Sequence, residues 1–563
     1  MNRGLTGSNN SGNRSSVEDL RILGIGGIHH DSNAALIEDG KVIAIREEER
    51  FTRVKKQAGY PKFAIESCLR ESNIILSDVD AIAVGSFSFN QGQFAGELQN
   101  LLGAELKVPD IAEKLVYVPH YFAHIASAAF LSPYQKCAVL LVEGGGDYLA
   151  TALALVNESD IEVCKVFRLR SSLGYLWLMV CDYLGYRPNY DEGKVMALAS
   201  YGEPKYLDTF LKIAPVEENG DFEIAIYDSN PLGNLRAIEL FRQLGIPPRE
   251  RKFEDYPTKQ HCDLAASIQA YTEMVAVRLV NQLYDFEKRY GRDCEGLCVV
   301  GGVGLNSSMN GTILTSGPYK NAFLLPMMGD NGTGVGAALF AYHHIFGHKR
   351  ATPVRFSPYT GESYSEKQVD QAISSSNIPS IVPDDLLDQV ARLLAEGRIL
   401  GWFQGRSECG PRALGNRSIL ADPRRPDIKE RLNARVKHRE MYRPYAPSVL
   451  AEKAGEFFDL HGEAPFMVQV VNVLEDKKRL VPAITHVDGT ARVQTVRRED
   501  NPVFYDLIVA FERITKVPLV LNTSFNVAGE PIVETPEDAL KCFQSTDLDA
   551  LILGKRLVRK SGV

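Results

Sequence analysis

The sequence lacks any apolar run approaching the roughly 20 residues needed to span a bilayer, so no transmembrane helix and no membrane partner is expected. It also lacks paired CxxC spacing. Its nine cysteines (Cys68, Cys137, Cys164, Cys181, Cys262, Cys294, Cys298, Cys409 and Cys542) are odd in number and scattered, as in a reducing cytoplasm, which excludes a disulfide framework. Cys294 and Cys298 come closest to a zinc pair and read as ordinary half-buried thiols. Net positive charge is missing as well: a formal charge of −8 and a pI near 5.9 exclude nucleic-acid binding through bulk charge. Residues 1–20 have no apolar signal-peptide core and, rich in Gly, Ser and Asn, read as a disordered lead-in. No short-period repeat is present. What remains is a chain of 563 residues, 45% hydrophobic and 24% charged, the balance of a soluble globular enzyme. At that length about two to four domains are expected.

Three stretches share one logic. Residues 21–37 read as strand, Gly-rich turn, strand, with a second turn at Glu38–Lys41. Residues 138–154 run from a strand into the triple glycine of VEGGGD and out into another strand. Residues 296–310, GLCVVGGVGLNSSMN, give strand, glycines, helix start. Glycine lets backbone N–H groups approach a phosphate or ribose with no Cβ in the way. Each turn alone is equally a structural device; three in one α/β chain predict a duplicated nucleotide-binding fold of the actin-like ATPase and sugar-kinase type. Apolar periodicity predicts a core-lining helix over Asp263–Tyr290. The tyrosines of residues 174–190 read as core or pocket wall. Pro353, Pro358, Pro379 and Pro383 mark residues 351–383 as a linker, after which a new α/β pattern begins.

In VPHYFAH, His120 and His124 lie four residues apart, the helical spacing that brings two imidazoles to one metal, although helical histidine pairs are often uncoupled. Glu143 and Asp330 flank glycine turns that could bring carboxylates to the pair. Two imidazoles and carboxylate with open positions suit iron or manganese as much as zinc. His30, in HHDS, has the ordinary pKa for a base near neutrality. Arg53 to Lys56 forms a second cationic cluster, or plain surface charge.

Residues 405–449 hold eleven Lys/Arg against five Asp/Glu inside a negatively charged protein, which calls for a local anion. Loop punctuation divides the arginines, so Arg412, Arg417, Lys437, Arg439 and Arg443 are expected to converge from several loops on a small polyanion. A solvated basic face is the bland alternative, opposed by interleaved apolar residues such as Ala413-Leu414-Gly415.

GPRALGNRSILADPR, with NARVKHRE, RPYAPSV and LNTSFN, closely resembles the C-terminal signature of NodU/CmcH-type O-carbamoyltransferases. The resemblance implies an N-terminal domain, residues 21–350, similar to the universal threonylcarbamoyl transferase, and a YrdC-like α/β domain at residues 384–563. It implies iron, or another divalent metal, on His120, His124 and Asp330, with Glu143 standing where the related nebramycin enzyme has an aspartate. It implies His30 as the base toward an acceptor hydroxyl, Lys55 at a phosphate, and Lys194 and Asn306 at the first domain's nucleotide. In the second domain it places Arg412, Lys437, Arg492, Asn522 and Ser524 around ATP, with its Mg2+, and carbamoyl phosphate. The implied activity is transfer of a carbamoyl group, through carbamoyladenylate, to a hydroxyl of a small natural-product acceptor. A small-molecule kinase of the sugar-kinase superfamily, releasing ADP rather than AMP, is the alternative; a non-enzymatic anion-binding module is a third. A symmetric dimer is the default for a soluble enzyme of this size.

Overall fold

The computed structural model describes residues 20–85, 91–102, 108–225, 235–249, 256–353 and 355–560; the expected lead-in, Leu20 apart, lies outside them. Runs of Ile, Leu, Val and Ala with few charges form two five-stranded sheets whose inner strands are buried on both faces. The first contains β1 (Arg21–Gly26), β2 (Asn33–Glu38), β3 (Lys41–Glu47), β4 (Ala81–Gly85) and β5 (Leu115–Val118). The second contains β6 (Lys136–Gly146), β7 (Leu149–Asn157), β8 (Asp160–Arg168), β9 (Gly296–Val300) and β10 (Ala322–Leu324). Their orders, β3-β2-β1-β4-β5 and β8-β7-β6-β9-β10, are the same order repeated. In each sheet the first three strands are antiparallel neighbours and the last two add in parallel. The front of the chain is therefore the duplicated α/β fold that the glycine turns predicted.

Two helices, His120–Leu131 and Thr333–Phe340, lie buried in the first core. The second, TGVGAALF, is apolar or small all round, as a helix without a water-facing side must be. Its small residues permit close approach: a Cβ on Gly24 would lie 1.9 Å from the Gly334 carbonyl oxygen.

The rest of the chain adds an eight-stranded sheet. Its members are β11 (Ser380–Ile381), β12 (Leu400–Phe403), β13 (Arg417–Ala421), β14 (Ala446–Leu450), β17 (Gln494–Val496), β18 (Leu519–Ser524), β19 (Ala550–Leu553) and β20 (Arg556–Val558). A separate pair, β15 (Val470–Asn472) and β16 (Thr490–Arg492), stands beside it. Trp402, Phe504, Phe511, Phe525 and Phe543 fill a core of their own. Part of the expected linker is not one. Ser365 caps a helix, Glu366–Ser376, and β11 pairs with β20, so the C-terminal sheet recruits residues before 384. Proline and serine there mark caps and strand edges rather than an extended spacer.

Three arginines, Arg50 buried and Arg53 and Arg406 half-buried, join the two halves. Arg50 Nη2 donates to the Gly410 carbonyl at 2.8 Å, Arg53 Nη1 to that of Ile532 at 2.7 Å, and Arg406 Nη2 to that of Ile43 at 3.2 Å. Leu414, Phe466 and Val468 pack into the front core, so the cationic stretch is anchored against the nucleotide fold.

Candidate functional site

The helix His120–Leu131 starts at Pro119, which has no side-chain cap to offer; Asp147 supplies one from the next hairpin, accepting from the His120 N–H at 2.6 Å. Its first turn presents both imidazoles to one point. The Nε2 atoms of His120 and His124 are 3.1 Å apart, and Glu143 Oε2 lies 3.3 Å from the former and 3.2 Å from the latter. Asp330 Oδ1 completes the group at 3.7 and 3.5 Å. The triple glycine explains how Glu143 arrives. These glycines end β6 rather than forming the turn, which falls at Asp147 and Tyr148 with φ of 49° and 64°. Gly146 is required by packing: a Cβ there would meet His120 Cδ2 at 2.1 Å.

One ligand atom from each of the four residues fits within 4.8 Å of the others. Burial opposes ionisation of Asp330, but His120, His124 and His30 hold its pKa below the carboxylate range. Burial likewise resists protonation of His124, and Glu143 and Asp330 lift it nonetheless to about 9. Two carboxylates and two imidazoles thus attract about two positive charges to a dry site, which a divalent cation meets as well as protons do. Glu143 Oε1, buried without a hydrogen-bond partner, adds a further donor atom, so the residues fit such an ion.

His30 stands beside this cluster. Its Nδ1 bonds Asp31 Oδ2 at 2.9 Å and its Nε2 lies 3.7 Å from Asp330 Oδ2. Asp31 is itself held by Lys56 at 3.6 Å. The carboxylate on Nδ1 fixes the ring and raises its pKa, leaving Nε2 toward the cluster.

The second assembly lies in the C-terminal half. Arg412, Arg439, Arg443 and Arg492 crowd together, and both Arg412 and Arg492 keep a buried Nε with no hydrogen bond. Burial and the neighbouring guanidinium of Arg443 push the Arg412 pKa down to about 10. Arg492 is depressed further, by burial and then by Arg412, Arg439 and Arg443. Arg439 stacks 4.5 Å from the centre of the Tyr445 ring and bonds Asn433 Oδ1 at 3.1 Å. Lys437 Nζ is buried and donates to Ser524 Oγ at 3.2 Å and Asn526 Oδ1 at 2.7 Å. Asn522 donates through Nδ2 to Ser448 Oγ at 2.9 Å and leaves Oδ1 unpartnered. So many cations with so few carboxylates make a site that a polyanion relaxes.

Lys55 and Lys194 come from the front half. Lys194 Nζ pairs with Asp191 at 3.1 Å and with Glu440 at 3.0 Å, and Tyr186 and Tyr442 share a 2.7 Å hydroxyl contact across the same boundary. Lys55 feels the charges of Arg443 and Asp191, at the edge of the cationic pocket.

Two expected residues have other work. Arg417 is fully buried on β13, 3.6 Å above the Phe403 ring, and its guanidinium donates to the carbonyls of Gln404, Gly405, Asn416, Glu362 and Glu534. With its donors all engaged it belongs to the framework, not to the anion pocket. Asn306 caps the helix Ser307–Ser316 through Met309 N at 3.0 Å and pairs both ends of its amide with Gln269, at 3.1 and 2.9 Å. That places it in the wall as a helix cap, with its Oδ1 already accepting two hydrogen bonds. Asp147, which caps the histidine helix, and His486, beside Arg492, carry no stronger sequence signal than an aspartate or histidine near a turn, which is too common to single out. A separate cavity of about 740 Å³, lined by Phe323, Phe356, Phe466, Met196 and Glu273, includes none of these site residues.

The family models of the carbamoyltransferase N-terminus and C-terminus match residues 21–94 with 92–339, and 391–560. Nodulation protein NolNO of Sinorhizobium fredii is 38% identical over 94% of this chain and 79% of its own length. Nodulation protein NolO of Bradyrhizobium diazoefficiens is 39% identical over 78% of each, and nodulation protein U of Rhizobium tropici 28% identical over 93% of each. Among solved structures, component A of the Acidaminococcus fermentans (R)-2-hydroxyglutaryl-CoA dehydratase is 16% identical, with a TM-score of 0.34, over 57% of this chain and 98% of that one. With both models matched across most of its length, the chain belongs to the carbamoyltransferase family.

Proposed function

We propose that the protein is an ATP- and carbamoyl-phosphate-dependent O-carbamoyltransferase that works through carbamoyladenylate on a small hydroxylated acceptor. The observation that carries this reading is the presence in one chain of two sites of opposite character: a guanidinium pocket with unpartnered buried donors, and a dry cluster of two imidazoles and two carboxylates. Carbamate is a poor acylating agent. Activation joins it to the α-phosphate of ATP with loss of pyrophosphate, the carbamoyl donor having given up inorganic phosphate, and transfer to R–OH then yields the carbamate ester and AMP. Bringing triphosphate and carbamoyl phosphate together sets anion against anion, which Arg412, Arg439, Arg443, Arg492 and Lys437 offset in a pocket poor in water.

In the front half His30, with Asp31 on Nδ1, takes the acceptor's proton on Nε2. Lys55 and Lys194, at the boundary, hold phosphate charge as the adenylate passes between halves. A divalent ion, iron by resemblance, would sit on His120, His124, Glu143 and Asp330 and supply Lewis acidity toward the carbamoyl oxygen. The test separates the half-reactions. Arg412→Ala should stop pyrophosphate release from ATP and carbamoyl phosphate while transfer from supplied carbamoyladenylate persists. If both fail in a folded variant, the division of labour is wrong; if the nucleotide product is ADP, the chain is a kinase.

A further inference from the structure

Buried side chains with no part in the chemistry above join the two sites. The first is Asn331, next to Asp330 in the single turn Asp330–Gly332. Asn331 Nδ2 donates to Glu47 Oε1 at 2.6 Å, and Glu47 Oε2 accepts from Arg50 Nε at 3.2 Å. Arg50 Nη2 then donates to the carbonyls of Gly410 at 2.8 Å and Glu408 at 3.3 Å. Asn331, Glu47, Arg50 and Glu408 are all buried. Gly410 leads into Pro411 and Arg412, so this chain of contacts runs from the turn of a metal ligand to the loop of an anion-pocket arginine.

Each end is fixed locally. On the front side Asn33 and Glu47 stand opposite each other on β2 and β3. Asn33 Nδ2 donates to the Asp330 carbonyl at 2.8 Å and its Oδ1 accepts from the Gly334 N–H at 3.0 Å, so the pair grips the Asp330 turn. On the back side the Glu408 carboxylate closes its own loop: Oε1 accepts from the N–H groups of Leu414, of Asn416 at 3.4 Å and of Arg417 at 3.3 Å. The loop keeps its shape by itself, and Arg50 supplies its attachment to the front half. Gly410, with φ of 87°, is pressed against Pro326, whose carbonyl oxygen a Cβ would meet at 2.5 Å. The loop that carries Arg412 therefore rests on the segment that leads into Asp330.

A buried ion pair contributes little net stability, because desolvation offsets the attraction. It is better suited to fixing a geometry: the planar guanidinium and the two carboxylate oxygens hold Asn331 and Gly410 in one relation. Two halves that pass a water-sensitive acyl nucleotide between them need that relation, since a gap admits water and frees the intermediate.

We propose that Glu47 and Arg50 are positioning residues that hold the Arg412 loop on the Asp330 turn and thereby keep carbamoyladenylate inside the protein until an acceptor arrives. The inference rests on the proposed function. Glu47 acts through the side chain of Asn331, and Arg50 through the backbone of Glu408 and Gly410.

Pyrophosphate release from ATP and carbamoyl phosphate by the full-length protein, with no acceptor present, tests it. The wild type should release about one pyrophosphate per chain in a burst and then turn over slowly, because the adenylate stays bound. Asn331→Ala severs the chain at its front end and leaves the Glu47–Arg50 pair whole. It should keep the burst and speed the slow phase about 10-fold or more, as carbamoyladenylate escapes and water converts it to AMP and carbamate. A merely damaged fold slows both phases. Arg53→Ala, which loses contacts to Pro531 and Ile532 across the same boundary, should leave the slow phase unchanged. A folded Asn331→Ala protein with the wild-type slow phase, an Arg53→Ala protein that accelerates equally, or a wild type without a burst overturns the proposal and leaves the proposed function standing. A wild type that releases no pyrophosphate overturns both. If Asn331→Ala does not fold, Arg50→Lys decides, since it keeps the charge beside Glu47 and loses the fork that reaches Gly410. A faster slow phase then supports the assignment, and an unaltered one refutes it.

Discussion

His120 and His124 face each other through their Nε2 atoms at 3.1 Å, inside the protein and within reach of two carboxylates. Two lone pairs at that distance repel unless something positive stands between them. Purified protein should accordingly carry about one divalent ion per chain, measured by elemental analysis, and His120→Ala or His124→Ala should lower metal affinity by at least ~100-fold. A chelator should lower the melting temperature of the wild type and leave that of the variants unmoved.

Arg412 and Arg417 lie five positions apart and should respond oppositely to truncation. Arg417→Ala leaves the carbonyls of Gln404 and Gly405 without their donor and should destabilise the fold by about 3 kcal/mol or more in denaturant titration. Arg412→Ala removes a crowded cation with an unpartnered Nε and should leave stability unchanged or slightly higher, while pyrophosphate release disappears.

Asn306→Ala should cost about 1 kcal/mol of stability, the usual cost of losing a helix N-cap. Nucleotide affinity by calorimetry should fall by no more than a few-fold, since the amide's hydrogen bonds go to Met309 and Gln269.

His486 shapes stability against pH. Burial pushes its folded pKa down to about 4, below its ordinary 6.5, so the unfolded chain takes a proton that the folded chain refuses. Stability therefore rises with pH through that window and is lost as pH falls toward 4. The slope of unfolding free energy against pH between these values should be shallower in His486→Phe than in the wild type. Equal slopes would mean that the ring is not desolvated in the fold.

Much of the arrangement is readable along the chain because it is local. The His120/His124 spacing and the strand–glycine turns act over a few positions, where backbone geometry leaves little choice. The linker expectation held less well over residues 365–381 for a related reason: proline and serine mark caps and strand edges as readily as spacers, and what decides is whether a sheet edge such as β20 is available.

The sequence by itself determined the duplicated α/β fold, the imidazole pair and the concentration of cations between residues 405 and 449, since each follows from periodicity, spacing or composition. Only the tertiary structure decided which cations point inward. Arg412 and Arg417 look alike in sequence, yet one is left with an unpartnered Nε and the other is saturated by carbonyls from three separate segments. Hydrogen-bond partners up to 117 residues away settle that difference, and no local pattern encodes them.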